Sequence, residues 1–306
     1  MAMRYPSGFI SAFYNPLQNP DAPTIGTATG GNASASVTFT APSNVGGGII
    51  TGYIVVSTPS GITGTGTSSP VTVSGLSNGT AYTFKVYASN AYGPSAASSA
   101  SNSATPLAGP TVIGEAFGGG FYAGQIGVSS VATHYLIVGP IASAQTNLAY
   151  KNANTATTGA DSNIDGPQNT ADMVADGSST VYPAAHFCND LSTGGQTDWY
   201  MPAKNELEIC YFNLKPTTTS NNTSSGINSN AIPARASNYT SGAPAQTSAA
   251  AFVTATGAEA FVAGNYFSST EFSATQAFIQ HFNFGYQYGY NKAFSTRVRA
   301  IRRIAV

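Results

Sequence analysis

A chain of 306 residues with only 8% charged side chains and a formal net charge of −1 has no general excess of Lys and Arg, so nucleic-acid binding is not expected. With 42% hydrophobic and 11% aromatic residues it is not disordered by composition. No run reaches the ~18 apolar residues of a membrane span, so membrane insertion is not expected either.

The start, MAMRYPSGFISAFYNP, lacks the apolar core of a secretion leader, and general secretion is not expected. Residues 1–20 alternate aromatics with turn formers and are too few for a domain. Aromatics on a free tail are a liability. The segment therefore reads as an extended arm that docks on something, with Arg4, Tyr5, Phe9, Ile10, Phe13 and Tyr14 as its anchoring candidates.

Residues 21–107 read as short strands of period two with Gly, Pro and Asn between them, the pattern of an all-β sandwich. Val37 and Phe39 share one face, as do Tyr53 and Val55, Val71 and Val73, and Tyr82, Phe84, Val86 and Ala88. The stretch LSNGTAYTFKVYASNAYGPSAAS, residues 76–98, resembles the second half of a fibronectin type III domain. The resemblance implies that Tyr82 caps the preceding turn through its hydroxyl, and that the domain is a spacer or binding module without chemistry. Residues 99–110 read as a linker.

Residues 108–306 form a second domain. Strands are expected in GGGFYAGQIG and THYLIVGPI, followed by a polar, Asp-spaced loop over residues 152–180. Residues 181–191 have the apolar spacing of a helix with Pro183 near its start, and residues 197–214 hold a second helix with Pro202 at its first position and Leu207, Cys210 and Tyr211 buried. Residues 216–247 are a long Ser/Thr/Asn/Ala loop. Strands in NYFSSTEF, AFIQHFNF and STRVRAIRRI close the domain. Cys188 and Cys210 make no disulfide framework and read as buried free thiols.

The segments AAHFCNDL, TDWYMPAKNEL and YFSSTEFSATQAFIQHFNFGYQYGYNKAFSTRVRAIRRI resemble a domain family of bacteria and phages named after the C-terminal domain of a Legionella collagen-like protein. Phe267 stands where the family has Trp, and Ala203 where it has Ser. The resemblance implies an α+β, C-type-lectin-like fold, whose other branches include sulfatase-modifying enzymes and variable phage receptor-binding proteins.

No catalysis is expected. No cysteine follows Cys210, so the sulfatase-modifying chemistry does not carry over, and there is no nucleophile elbow, glycine-rich phosphate loop or zinc spacing around His134, His186 or His281. Asp198 and Glu206 read as partners of backbone or arginine. Asp161, Asp165, Asp172 and Asp176 are the candidates for a structural Ca²⁺, but they match no EF-hand and read more simply as loop acids and caps, so no metal or cofactor is expected. At least two of Arg297, Arg299, Arg302 and Arg303 are expected to bond carboxylates or carbonyls inside the domain.

The sequence GYQYGYNK is expected to be an exposed turn over residues 283–292. Its composition is that of recognition surfaces: aromatic area at low side-chain entropy, with amides for hydrogen bonding. The receptor-binding candidates are Asn283, Tyr286, Gln287, Tyr288, Tyr290, Asn291 and Lys292, against a plainer reading in which two of the tyrosines only cover the core. The whole reads as a phage virion protein assembled in the host cytoplasm. Its arm joins other virion proteins, its sandwich is a spacer, and its tip meets host-surface glycan or protein. A homo-oligomer is expected. A decoration or filament protein whose contacts are mainly with its own copies is the alternative.

Overall fold

The structure is a computed structural model and describes residues 17–306. The anchoring candidates Arg4, Tyr5, Phe9, Ile10, Phe13 and Tyr14 lie outside the described residues. The chain divides into two compact units, the first ending at Gly109 and the second running Pro110–Val306.

The first unit contains β1 (Thr24–Gly31), β2 (Ser34–Thr40), β3 (Gly52–Thr58), β4 (Thr63–Gly66), β5 (Val71–Ser74), β6 (Thr83–Asn90) and β7 (Gly93–Pro94). They form a three-stranded sheet, β1-β2-β5, and a four-stranded sheet, β4-β3-β6-β7. The period-two residues Val37, Phe39, Tyr53, Val55, Val71, Val73, Phe84, Val86 and Ala88 are all buried in one core. Tyr82 is buried beside them, and its hydroxyl accepts from the Ser77 N–H at 3.1 Å, as the resemblance implied.

The expected linker is partly structural. Ser95, Ser98 and Ser101 recur every third residue, and their hydroxyls accept from the Ala88, Val86 and Phe84 N–H groups at 2.9–3.0 Å, lining the edge of β6. Further on, Tyr82 and Ala104 exchange backbone hydrogen bonds of 2.9 and 2.8 Å. The end of the expected arm is also tied down: the Gln18 N–H donates to Gly46 at 2.9 Å, and its carbonyl accepts from Asn90 Nδ2 at 2.9 Å.

The second unit opens with β8 (Ala116–Phe117), β9 (Gly120–Val128), β10 (Val131–Val138), α1 (Ile141–Ala144) and β11 (Gln145–Ala149). Three helices follow: α2 (Gly166–Asp176), α3 (Pro183–Asn189) and α4 (Lys204–Leu214). The unit ends with β12 (Ala231–Ile232), β13 (Asn265–Ser273), β14 (Gln276–His281), β15 (Gln287–Asn291), β16 (Ser295–Arg299) and β17 (Ile301–Ala305). One five-stranded sheet has the order β12-β9-β10-β17, with β8 beside β9, and the other has the order β11-β16-β13-β14-β15. The last strand, β17, pairs antiparallel with β10, so the two ends of the unit close on each other.

Two buried clusters fill the unit. One gathers Tyr150, Met173, Tyr182, Cys188, Trp199, Phe267 and Ile279; the other gathers Leu207, Ile209, Cys210, Tyr211, Phe261, Tyr266 and Phe282. Phe267 fills the place of the family tryptophan without exposure. Both cysteines are buried and free, and burial pushes both thiols up.

The structure corrects three expectations. The loop expected over residues 152–180 contains α2, whose first residues Asp165 caps by accepting from the Gln168 N–H at 3.3 Å. Helix α4 begins at Lys204, so Pro202 precedes the cap residue Ala203 and is not the first helical residue. The turn expected over residues 283–292 is confined to the residues before Gln287, because Gln287–Asn291 continues the sheet as β15, paired with β14.

Candidate functional site

Strand alternation places Tyr288 and Tyr290 on one face of β15, in register with Ile279 and Ala277 of β14. Tyr286, just before the strand, extends the row. The ring centroids of Tyr286 and Tyr288 are 5.4 Å apart, and those of Tyr288 and Tyr290 are 6.3 Å apart. Phe294 continues the row 6.2 Å beyond Tyr290, and His281 lies 4.7 Å from Tyr286. Tyr286 and Tyr290 are half-buried against the core, the latter 5.9 Å from Phe267. Tyr288 is 38% exposed, Phe284 38% and Phe294 58%, so these three supply the accessible aromatic area.

The face is uncharged. Burial lowers the His281 pKa below that of a free imidazole, and burial with the neighbouring Tyr288 raises that of the Tyr286 phenol. Its polar rim is an amide and a hydroxyl: Asn265 Nδ2 donates to the Tyr288 hydroxyl at 3.2 Å, while the buried Asn265 Oδ1 has no partner among the described residues. Asn265 is a residue the sequence reading missed, because it lies on β13 and two strand pairings bring it there.

Most of the other candidates are engaged within the chain. Asn283 Oδ1 accepts from the Thr217 hydroxyl at 2.9 Å, Gln287 Nε2 donates to the Lys204 carbonyl at 2.9 Å, and Asn291 Oδ1 accepts from the Ala293 N–H at 2.9 Å. Lys292 does not belong to any recognition face. It is fully buried, and its Nζ donates to Glu271 and to the Thr155 carbonyl at 2.9 Å and to the Ala274 carbonyl at 3.1 Å, 5.5 Å from the Tyr150 ring centre. An ammonium removed from water needs such partners.

The remaining charges follow the same rule. Arg299 pairs with Glu259 at 2.7 Å, Arg302 with Asp198 at 2.7 Å and Arg303 with Glu206 at 2.7 Å, the internal pairing expected of these arginines. Glu206 is a hub: it also accepts from the Tyr200 hydroxyl at 2.5 Å, the Ala203 N–H at 2.8 Å and the Gly166 N–H at 3.2 Å, joining the starts of α4 and α2 to β17. Glu208 holds the long loop by accepting from Arg235, Tyr239 and Asn228. A groove of about 250 Å³ beside this network is lined by His134, Asp165 and Arg303, and another of about 460 Å³ by His186, Phe187 and Leu191.

The four aspartates weighed as Ca²⁺ candidates are dispersed. Asp165 caps α2, Asp172 accepts from Gln168 at 2.8 Å, Asp176 accepts from the Tyr182 hydroxyl, and Asp161 takes no part in these contacts. Among the described residues no three His, Cys, Asp or Glu gather as a metal site, and no helix is long and apolar enough to cross a membrane.

The Lcl C-terminal domain family model matches residues 143–302, just over half of the chain, and the chain belongs to that family. The fibronectin type III model matches residues 21–103, in agreement with the strand pattern of the first unit. No curated protein matches. Among solved structures, titin kinase with its flanking domains is 30% identical, covers 29% of this chain and 17% of that one, and has a TM-score of 0.26. A titin module from human cardiac muscle is 31% identical over 29% of this chain and 90% of its own, with a TM-score of 0.24. The twitchin kinase region of C. elegans is 20% identical over 31% of this chain and 18% of that one, with a TM-score of 0.27.

Proposed function

We propose that the chain is a non-catalytic phage virion protein, carried on the particle surface, in which the fibronectin type III domain is a spacer and the second unit, C-type-lectin-like in fold, meets the host surface. The segment before residue 17 joins it to other virion proteins. The ligand is an uncharged, hydroxyl-rich surface group, a glycan or a protein patch of that chemistry, and neither a metal nor a cofactor is needed.

The observation that carries this reading is the aromatic row on β15. Phe284, Tyr288 and Phe294 offer flat apolar area beside the Tyr288 hydroxyl, which the Asn265 amide holds in place and which can bond a ligand hydroxyl. Aromatic faces and hydroxyl acceptors together suit a sugar ring, which is apolar on its faces and polar at its edge. The pairing of β17 with β10, which closes the ends of the unit on each other, supports the lectin-like reading.

The test separates exposed from supporting aromatics. Phe284→Ala with Tyr288→Ala should lower adsorption to host cells by tenfold or more while the melting temperature holds, since well-packed aromatic anchors are worth about 2 kcal/mol or more at an interface. Unchanged adsorption by the folded double variant would move recognition away from β15.

A further inference from the structure

β15 ends its sheet, and among the described residues nothing pairs with its outer edge. The ladder with β14 fixes which backbone groups that edge presents. The His281 N–H donates to Tyr286 at 3.0 Å and the Lys292 N–H to Thr275 at 3.1 Å, in the same register as Ile279 with Tyr288 and Ala277 with Tyr290. Hydrogen-bonded pairs alternate in an antiparallel ladder, so the N–H and C=O groups of Gln287, Gly289 and Asn291 point outward.

Free edges in native sheets are ordinarily guarded by charge, proline or a bulge. Residues 283–291 contain no charged residue and no proline, and the neighbouring Lys292 is buried. Phe272, Phe284, Tyr288 and Phe294, all large and exposed, flank the strand. An edge of this kind calls for a covering strand.

The sequence of β15 identifies one. Gln-Tyr-Gly-Tyr-Asn reads nearly the same in both directions about Gly289. Set antiparallel against a copy of itself with a two-fold axis at Gly289, it places the outward groups of Gln287 opposite those of Asn291 and Gly289 opposite Gly289, so donors meet acceptors along the edge; the Asn291 carbonyl, which accepts from the Phe294 N–H at 3.3 Å, offers the partner its second lone pair. Tyr288 then stands opposite Tyr290, an aromatic cross-strand pair, and Gln287 opposite Asn291, an amide pair, with no like charges facing each other. Gly289 has no side chain to hold a partner strand off, and the Phe272 ring of the same chain lies where one would begin. Its carbonyl also accepts from Gln276 Nε2 at 3.1 Å, which leaves a second lone pair for the partner strand.

We propose that β15 pairs edge to edge with β15 of a second copy of this chain, antiparallel about a two-fold axis at Gly289, making two five-stranded sheets continuous. The contact is isologous, so it closes on itself as a dimer and does not propagate. It requires no ligand; it shares Tyr288 with the host-recognition reading, and cross-linking and sedimentation report on it separately from cell adsorption.

The experiment uses the full chain and fixes the register. Tyr288→Cys and Tyr290→Cys are made separately and oxidised with diamide, alone and as an equimolar mixture; the native Cys188 and Cys210 are buried. The mixture should yield a cross-linked dimer and each variant alone should not, because position 288 faces position 290 across the axis. Because Tyr290 also packs on the core, sedimentation of two charge variants provides an independent measurement. Gln287→Glu with Asn291→Glu should weaken the dimer about tenfold, and Gln287→Lys with Asn291→Glu should restore it. A wild-type chain that is monomeric at every concentration would overturn the proposal. So would cross-linking of either cysteine variant alone as efficient as in the mixture, a dimer indifferent to both charge variants, or an edge that captures only a foreign strand.

Discussion

Among the described residues Arg299 is the largest fully buried side chain, and its surroundings explain how a guanidinium is held there. Nε donates to the Gly139 carbonyl at 3.0 Å, one terminal nitrogen to the Glu259 carbonyl at 2.8 Å and the other to the Glu259 carboxylate at 2.7 Å. Phe261 lies 4.7 Å and Phe252 5.5 Å from the guanidinium carbon. Burial still pulls its pKa down to about 10, against the opposing pull of Glu259. Removing one partner of a buried pair leaves an uncompensated charge, whereas replacing both by groups of similar size can be nearly neutral. Glu259→Gln should therefore cost about 3 kcal/mol in chemical denaturation, and Arg299→Met on top of it should recover part of that loss. If the two changes prove additive, the pair is not coupled. The sequence told that the clustered arginines would be satisfied internally but not by which carboxylates, since Glu259, Asp198 and Glu206 lie 40, 104 and 97 residues away in the chain. The same blindness placed Lys292 on the exposed tip: its neighbours are tyrosine and asparagine, and its counter-charge Glu271 is on another strand.

At the scale of elements, legibility followed the chemistry of the buried face. Strands β2, β3, β5 and β6 bury Val, Phe and Tyr at period two and are recognisable from sequence, whereas β1 and β4 bury only Ala28, Gly31 and Gly64 and give no such signal. Helix α2 buries Gly166, Asn169, Thr170 and Met173, the spacing of a helix face, yet only Met173 is apolar, so hydrophobic periodicity was silent there. The remaining signal was Asp165 as cap with Pro167 just inside the start. Gly285 and Gly289 together give β15 the sequence signature of a turn, but only Gly285 turns the chain, with φ at 80°; Gly289 sits in the strand so that Phe272 can lie over it. Gly166 has a comparable role. A β-carbon there would come within 2.6 Å of the Tyr200 ring and 2.8 Å of the Ala203 nitrogen, and would meet the Glu206 carboxylate. Gly→Ala inside a helix ordinarily stabilises by up to about 1 kcal/mol. Here Gly166→Ala should instead destabilise by about 1–3 kcal/mol, the cost of overpacking, and the hub at Glu206 should loosen with it. A neutral or higher melting temperature would show that the close approach of α2 and α4 is not needed.

For the whole molecule, every core cluster and every ion pair described above lies within one unit. The sandwich keeps the Tyr82 cluster to itself, and the second unit keeps both of its clusters and its network of buried charges. Segments with their own cores and a boundary at an uncharged Leu-Ala-Gly-Pro stretch should fold as independent domains. Residues 17–109 and 110–306, expressed separately, should each unfold cooperatively, and their circular dichroism spectra should sum to that of residues 17–306. The closure of the second unit makes the complementary cut severe. β17 pairs with β10 from Val138 to His134, and Arg302 and Arg303 on it hold Asp198 and Glu206. Removing residues 301–306 should therefore unfold the second unit and leave the sandwich transition in place. If the truncated chain kept both transitions, β17 would be an accessory strand and not the closure of the fold; if the isolated sandwich failed to fold, the two units would share stability that neither core accounts for.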